Sequence, residues 1–210
     1  MNGEALVLVA LLGYLIGSVP TAYIIAKRKG INIFEIGSGN MGATNIARAL
    51  STRDAVITGV VDVLKGVAAV LIGRALAPQD AVLGGVLGAF AAVVGHSWSV
   101  FILWLTGQLR GGKSAGVATG TWLILAPLYV SAACLALFGL VVWRTRIVSL
   151  GVLLTISFGA AWILLWVALR QLPPVMVVYA VGLLALIVLR HRSNIERLIQ
   201  GTERRVGERK

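Results

Sequence analysis

The sequence has little charge and almost no cysteine. Charged residues make up 13% of its 210 residues, whereas about 25% is usual for a soluble globular domain. The single cysteine, Cys134, excludes a disulfide framework and a cysteine-based metal cluster. Its position inside an apolar run predicts inert packing. We expect no metal site and no cofactor.

Apolar residues dominate the composition. They make up 58% of the chain, the mean hydropathy is +0.91, and several windows exceed the ~18 apolar residues that a soluble core rarely needs. The chain is therefore predicted to be a polytopic membrane protein with a single domain, 1–210. Residues 1–4 lack a positively charged region, so the first apolar run is expected to be a retained span rather than a cleaved signal peptide.

The net charge of +11 has two interpretations. A basic surface can bind nucleic acid, but no soluble basic domain is present to dock on a duplex. In a membrane protein, lysine and arginine accumulate on the cytoplasmic side. We therefore expect no nucleic-acid partner and interpret the charge as a signal of membrane orientation.

The apolar runs predict an all-α fold of about seven transmembrane helices, with the N-terminus outside and the C-terminus in the cytoplasm. Pro20 should kink the first helix or end it near Ser18, because proline removes a helical hydrogen bond. The run 117–143 is too long for one helix of ~20 residues and short for two. We expect two helices that meet near Pro127, the first of them short or partly re-entrant. The predicted helices are 5–26, 54–77, 81–106, the two within 117–143, 147–169 and 175–189, and residues 192–210 form a short cytoplasmic tail.

The positions of lysine and arginine support this topology. Only Arg74 and Arg170 fall on the outer side, and the other 17 of the 19 basic residues fall on or near the cytoplasmic side. This asymmetry is what the positive-inside rule predicts. If the run 117–143 were a single helix, residues 190–210 would lie outside the cell, contrary to that rule.

Residues 37–48, here called the first glycine segment, interrupt the apolar pattern. They hold three glycines, a serine, a threonine, two asparagines and Arg48. Glycines allow backbone N–H groups to turn toward an oxyanion, and a guanidinium is suited to phosphate. The composition predicts an anion-binding loop against the membrane, with a merely flexible loop as the alternative.

Four further polar clusters are expected on the same cytoplasmic face. A second glycine segment, 111–119, again combines glycines with a cation, Lys113, as a phosphate site does. A plain turn at its glycines is the alternative. Asp62 and Lys65 lie one turn apart on a helix, where they either serve the site or form an internal ion pair.

Ser149 and the segment 191–194 are the last two clusters, and each has a structural alternative. Ser149 stands where a helix cap is common. The segment 191–194 supplies a histidine and an asparagine as hydrogen-bond donors. Residues 193–196 also fit a capping box, with Gly201 as the later stop of that helix. His96 is interpreted as a satisfied core histidine.

The first glycine segment also contains the spacing of a dinucleotide-binding fingerprint. Gly37, Gly39 and Gly42 match G-x-G-x-x-G. No buried strand precedes them, and no acidic residue follows at the required distance. A dinucleotide site is therefore not expected.

These segments together resemble a known family. The first glycine segment resembles the first motif of the bacterial acyl-phosphate:glycerol-3-phosphate acyltransferases. Residues 113–119 resemble the family's second motif, and residues 191–203 its third. Ser149 stands where the family has a serine that opens a helix. The pairs Gly95-His96 and Asp62-x-x-Lys65-Gly66 fit as well, so the resemblance covers nearly the whole chain in order.

One departure from the family pattern lies beside Lys113. The family usually reads Gly-Gly-Lys-Gly-Val-Ala-Thr, whereas here Ser114 and Ala115 are inserted before Gly116. Either the glycine contact next to the lysine is displaced, or the backbone N–H of Ser114 replaces it.

The resemblance implies transfer of a fatty acyl group from acyl phosphate to glycerol 3-phosphate, giving lysophosphatidic acid and phosphate in the first acylation step of phospholipid synthesis. It implies a multi-pass protein of the bacterial cell (inner) membrane, with the active site facing the cytoplasm and membrane lipid as a further partner; a monomer is compatible with it. The implied catalytic residues are Ser38, Arg48, Lys113, Ser149, His191 and Asn194. The implied substrate- and phosphate-binding residues are Gly37, Gly39, Asn40, Gly42, Thr44, Asn45, Gly111, Gly112 and Gly116.

Two other classes of protein are alternatives to an enzyme. A membrane transporter for an anionic phosphorylated metabolite would also use intramembrane charges and glycine-broken helices. Here, however, the polar residues cluster toward one face rather than at the midplane, and no inverted repeat is visible. A purely structural membrane partner explains neither glycine segment.

Overall fold

The computed structural model describes residues 3–207, and within that range every regular element is helical, which confirms the all-α prediction. A short 3-10 helix, Pro78–Asp80, precedes the fifth α-helix. The α-helices are α1 Gly3–Ser18, α2 Thr21–Arg28, α3 Ala43–Ala49, α4 Thr52–Leu76, α5 Ala81–Ser97, α6 Val100–Thr106, α7 Ala115–Leu125, α8 Leu128–Thr145, α9 Val148–Ala168, α10 Val175–Arg190 and α11 Arg192–Ile199. The described chain divides into two compact units between Leu125 and Ala126. Unit 1 contains α1–α7 and unit 2 contains α8–α11.

The first predicted helix is broken where its proline lies. α1 ends at Ser18, and α2 begins at Thr21, directly after Pro20. The predicted end near Ser18 is therefore confirmed. Two small residues of α2, Ala22 and Ala26, are fully buried and form a base for the loop that follows.

Unit 1 is built around α4 and α5, which pack on each other and on α1 and α7. The backbones of α4 and α7 come close because two glycines face each other. A β-carbon on Gly66 of α4 would collide with the carbonyl oxygen of Val117, and one on Gly120 of α7 would collide with that of Val63. This packing holds the start of α7, and with it the second glycine segment, against α4.

The helix predicted over residues 81–106 is not continuous. It divides into α5 and α6 at Trp98 and Ser99 because Ser99 leaves the helical hydrogen-bond pattern. The Ser99 N–H donates to the carbonyl of Arg110 at 3.0 Å, and its hydroxyl accepts the N–H of Ile102 at 3.2 Å as the N-cap of α6. The break brings residue 110, which leads into the second glycine segment, alongside the end of α5.

Unit 2 consists of α9 packed between α8 and α10, with α11 following α10 at a bend of 65°. The predicted break at Pro127 is confirmed, because α8 begins at Leu128. The helix before the break, α7, has 11 residues, so the first part of the run 117–143 is short, as expected. The capping box predicted over 193–196 is wrong, since α11 already begins at Arg192 and has no side-chain cap. Gly201, with φ +69°, follows the helix as predicted.

The helices are consistent with a multi-pass membrane protein. Five helical segments of the described chain are long and apolar enough to span a bilayer, or six if α10 and α11 count as one span, and α7 is a shorter apolar helix. Large apolar side chains such as Val7, Trp104, Leu128 and Trp143 are mostly exposed, as lipid-facing residues are. The count of seven crossings and the orientation stay predictions.

Candidate active site

The first glycine segment is folded by the side chain of Asn45, which is buried in α3. Its Oδ1 atom accepts the backbone N–H of Ser38 at 2.9 Å. Its Nδ2 atom donates to the carbonyl oxygens of Ile33 at 3.2 Å and Ile36 at 3.0 Å. One amide therefore links three points of the loop and uses both of its donors to do so. Asn45, proposed from the sequence as a phosphate ligand, has a structural task within the loop.

Two glycines of this segment adopt a backbone conformation that other residues avoid. Gly37 and Gly39 have φ values of +60° and +65°, in the left-handed region where a β-carbon is unfavourable. A β-carbon on Gly37 would also collide with Oδ1 of Asn45 and lie 4.0 Å from Cδ of Arg48. The Arg48 side chain thus passes beside the glycine turn, and Arg48 is exposed.

An apolar layer lies beneath the loop. Ile33, Met41 and Ile46 are fully or almost fully buried and belong to one cluster with small residues of α2 and Ile102 of α6. The apolar side chains of the segment therefore anchor it inward, while Ser38, Asn40 and Thr44 stay partly exposed. Asn40 adds a bond within the loop, from its Nδ2 atom to the carbonyl of Ser38 at 3.0 Å.

The second glycine segment lies against the end of α5 and meets the first. The N–H of Gly112 donates to the carbonyl of His96 at 2.8 Å. A β-carbon on Gly111 would collide with that carbonyl, and one on Gly112 would collide with Nε2 of His96 and lie 3.0 Å from the carbonyl oxygen of Met41. Glycine is needed at both positions because there is no room for a side chain. Lys113, the next residue, is half-buried.

A buried charged cluster supports the second segment from α4 and α5. Nζ of Lys65 donates to Oδ1 of Asp62 at 2.7 Å and to the carbonyl of Val19 at 2.7 Å, and Nδ1 of His96 lies 3.8 Å from the same Asp62 oxygen. Of the two alternatives for Asp62 and Lys65, the internal ion pair is present in the structure. A β-carbon on Gly116 would lie 2.9 Å from Cβ of Asp62, so this glycine serves helix packing.

In unit 2, the carboxylate of Glu203 gathers three side chains. Its Oε1 atom accepts the hydroxyl of Ser149 at 3.1 Å and Nδ2 of Asn194 at 2.7 Å. Its Oε2 atom accepts Nε of Arg197 at 2.7 Å. Ser149 is thus not a helix cap, since α9 has no side-chain cap, but donates across to the segment after α11. The backbone bond from Val206 N–H to the Arg146 carbonyl at 2.7 Å holds that segment in place.

His191 lies at the junction of α10 and α11 and is 3% exposed. Its Nδ1 atom is 2.8 Å from the carbonyl of Ile187. A carbonyl oxygen can only accept, so Nδ1 carries a proton. In the neutral ring, Nε2 is then the nitrogen that can accept a proton. The backbone carbonyl of His191 accepts the N–H of Asn194 at 2.8 Å, which fixes these two residues one turn apart.

The sequence-predicted site residues fall into both units. Unit 1 brings the two glycine segments together at Met41 and Gly112, with Ser38 and Lys113 in the loops of these segments and Arg48 on α3. Unit 2 joins Ser149 and Asn194 through one carboxylate. The expectation that all five polar clusters share one face stays a prediction.

Sequence reasoning missed two features of the site. One is the carboxylate of Glu203, which accepts hydrogen bonds from three side chains. The resemblance places Glu203 in the third motif but assigns it no function. The other is a buried hydroxyl pair, Ser97 and Ser114, whose Oγ atoms are 2.7 Å apart. Ser149 lies 54 residues from Glu203, and Ser97 lies 17 residues from Ser114, so no local pattern indicates these two contacts.

Comparisons with known proteins agree with the resemblance. The family described as glycerol-3-phosphate acyltransferase matches residues 7–201. A glycerol-3-phosphate acyltransferase of Clostridioides difficile is 38% identical over 208 residues, covering 97% of this chain and 97% of the relative. One of Thermus thermophilus is 43% identical over 201 residues, covering 95% of this chain and 94% of the relative.

Two solved structures are similar to the whole chain. One is the crystal structure of PlsY (YgiH), an integral membrane glycerol 3-phosphate acyltransferase, in its glycerol 3-phosphate form, with a TM-score of 0.84, 31% identity, and coverage of 98% of this chain and 96% of that one. The other is the lysophosphatidic acid form, with a TM-score of 0.81, 32% identity and the same coverage.

Proposed function

The chain belongs to the glycerol-3-phosphate acyltransferase family, and on that premise we propose that it transfers a fatty acyl group from acyl phosphate to glycerol 3-phosphate. The products are lysophosphatidic acid and inorganic phosphate. The observation that carries this proposal is the contact, at Met41 and Gly112, of two glycine segments that each bear one cation. That composition fits two phosphate-bearing substrates held side by side.

The reaction requires no covalent enzyme intermediate. The hydroxyl oxygen of glycerol 3-phosphate attacks the acyl carbonyl carbon, the bond between that carbon and the phosphate oxygen breaks, and phosphate leaves. The protein must hold two anions close together and stabilise the charge that develops on the carbonyl oxygen. Arg48 and Lys113 would offset the repulsion between the phosphates. The Ser38 hydroxyl would orient them, together with backbone N–H groups of the glycine segments other than those of Ser38, Gly39 and Gly112, which are bonded within the protein.

Ser149, His191 and Asn194 would orient substrate oxygen atoms by hydrogen bonds. Two groups can accept the proton of the attacking hydroxyl: Nε2 of His191 and a substrate phosphate oxygen. The pH dependence of kcat in His191→Gln separates them. A dependence that disappears in the variant assigns the proton to His191, and one that persists assigns it to phosphate.

The enzyme is proposed to work in the bacterial cell (inner) membrane, with its site facing the cytoplasm. The distribution of lysine and arginine supports this orientation. The exposed apolar faces of the helices support a path for the acyl chain along the bilayer, which places the product in the lipid phase.

The test uses the purified full-length protein in lipid, with labelled glycerol 3-phosphate. Acyl phosphate and an acyl thioester are supplied in separate reactions, and labelled lysophosphatidic acid is measured. We expect product with acyl phosphate only, and a loss of at least about 100-fold in Arg48→Ala, because a charged contact to phosphate is removed at the reacting centre.

Each result has a definite meaning. Product with the thioester only would retain the acyltransferase and overturn the proposed donor. No product with either donor, from folded protein, would overturn the proposed reaction. An active Arg48→Ala variant would overturn the placement of the site at the first glycine segment.

A further inference from the structure

Ser114 adopts a backbone conformation that is unusual for a residue with a side chain. Its φ is +61°, in the left-handed region that glycine normally occupies. It is also 1% exposed and directly follows Lys113. Its carbonyl oxygen accepts the N–H of Ala118 at 2.8 Å, the first hydrogen bond of α7. The residue thus forms the turn between Lys113 and that helix.

The side chain of Ser114 holds this turn against α5. Its hydroxyl donates to the carbonyl of Val93 at 2.9 Å. A serine hydroxyl has one proton, so in the bond between Ser114 and Ser97, 2.7 Å long, Ser97 is the donor. Ser114 therefore donates one bond and accepts another, both with residues of α5. These two bonds compensate for a backbone conformation that is otherwise unfavourable.

Lys113 lies between two anchored residues. On one side, the Gly112 N–H is bonded to the carbonyl of His96 in α5. On the other side, Ser114 is bonded to Ser97 and Val93 of the same helix. Lys113 is half-buried while both neighbours are buried. The backbone of the lysine is consequently fixed to the last turns of α5 from both directions.

We propose that Ser114, with Ser97 as its hydrogen-bond donor, is a positioning residue that aims the Lys113 ammonium at a phosphate group of the substrate. This inference rests on the proposed function of the second glycine segment as a phosphate site. The anchored serine thus provides, directly after Lys113, the left-handed turn that a glycine would otherwise provide.

The test compares four variants in the purified full-length protein. Ser114→Ala keeps the strained conformation and loses both side-chain bonds. Ser114→Gly relieves the strain and also loses the bonds, and Ser97→Ala removes one bond only. The matched control is Ser18→Ala, because Ser18 is a buried serine whose hydroxyl donates to a carbonyl of α5, that of Gly95 at 3.3 Å, without bonding a neighbour of Lys113.

The kinetic constants should separate the variants. We expect kcat/KM for glycerol 3-phosphate to fall by about tenfold in Ser114→Ala, as the loss of two buried hydrogen bonds allows, and by less in Ser114→Gly and Ser97→Ala. Ser18→Ala should keep the wild-type value. Its thermal unfolding midpoint should fall by less than that of Ser114→Ala, because it loses one bond instead of two. The kinetic constants of each variant are therefore measured well below its own midpoint, so that they report the position of Lys113 rather than stability.

A double-mutant cycle tests the route through the lysine. In a Lys113→Ala background, Ser114→Ala should change kcat/KM by less than about twofold, because the group that it positions is gone. Multiplicative losses in the double variant, or a wild-type kcat/KM in Ser114→Ala, would overturn the inference. The same ranking is expected for the affinity of inorganic phosphate, measured by titration without turnover. If acyl transfer fails while the variants keep this order of phosphate affinity, only the proposed function is contradicted.

Discussion

At the scale of single residues, each unit has one polar side chain that holds several other groups in place by hydrogen bonds. In unit 1 the buried amide of Asn45 joins three backbone groups of the first glycine segment. In unit 2 the carboxylate of Glu203 joins three side chains. In both cases one polar residue organises others, and its removal leaves several groups without a partner at once.

Gly37→Ala tests the first of these arrangements. The new β-carbon would be strained at φ +60° and would collide with Oδ1 of Asn45, so the bond to the Ser38 N–H should break. We expect a loss of about 2–4 kcal/mol in the free energy of unfolding, the usual size for strain combined with a lost buried bond, and little remaining activity. The measurements are thermal unfolding and product formation.

Gly30→Ala is the matched control for that experiment. Gly30 also has a positive φ, +73°, but no atom lies within 4 Å of its β-carbon position. The control should therefore lose only about 1–2 kcal/mol for the left-handed backbone and should keep its activity. Equal effects of the two substitutions would show that the contact with Asn45 does not matter.

Glu203→Gln tests the second arrangement. The neutral amide cannot pair with Arg197 as the carboxylate does, and its NH2 group meets other donors instead of accepting from them. We expect a loss of about 1–3 kcal/mol in stability and a larger fractional loss of kcat, because Ser149 and Asn194 lose their shared partner. The control is Glu196→Gln on α11, where Glu196 is exposed; this substitution should change neither quantity.

These residues also show what a sequence can and cannot predict. The glycine segments and their cations are recognisable because each is a local run of unusual composition. The bond between Ser149 and Glu203 and the Ser97–Ser114 pair are not, because each joins residues that only the fold brings together. The resemblance names Asn45 as a phosphate-binding residue, but its three hydrogen bonds within the loop depend on the fold.

At the scale of elements, helix breaks were predictable where proline causes them and not where a serine does. Pro20 and Pro127 mark breaks that the structure confirms. The break between α5 and α6 depends on Ser99, which bonds to the carbonyl of Arg110 and to that of Ser18 at 2.6 Å. A serine signals such a break only when these tertiary partners are known.

The close approach of α4 and α7 provides a prediction at this scale. Gly120→Ala would push a methyl group against the carbonyl of Val63, so the helices must separate. We expect a loss of about 1–3 kcal/mol, as for other overpacked contacts, with a lower thermal unfolding midpoint in detergent.

In the control, Gly139→Ala, no atom lies within 4 Å of the new β-carbon, and the better helix propensity of alanine should raise stability by up to about 1 kcal/mol. We expect Gly120→Ala to lower stability and Gly139→Ala to raise it. Changes in the same direction would contradict the packing argument.

At the scale of the whole molecule, the orientation in the membrane is predicted from the distribution of charge. Arg74 and Arg170 are the only basic residues that the predicted topology places outside. The sequence therefore predicts the orientation, which no contact within the protein can supply.

Cysteine labelling tests the orientation. In a Cys134→Ser background, single cysteines are introduced at Gln171 and at Thr202, two exposed positions on either side of α10 and α11. A membrane-impermeant maleimide should label Gln171→Cys in intact cells and Thr202→Cys only after lysis, because residues 192–210 are predicted to lie in the cytoplasm. The reverse pattern would contradict the predicted topology.

The hydrogen bonds of Glu203 also have a genetic consequence. A nonsense codon at position 203 would leave α1 to α11 complete, so the protein could still enter the membrane with all of its helices. It would nevertheless lack the carboxylate to which Ser149 and Asn194 donate, and the segment that is bonded to the Arg146 carbonyl. Such an allele should therefore behave as a null allele, although its product is nearly full length.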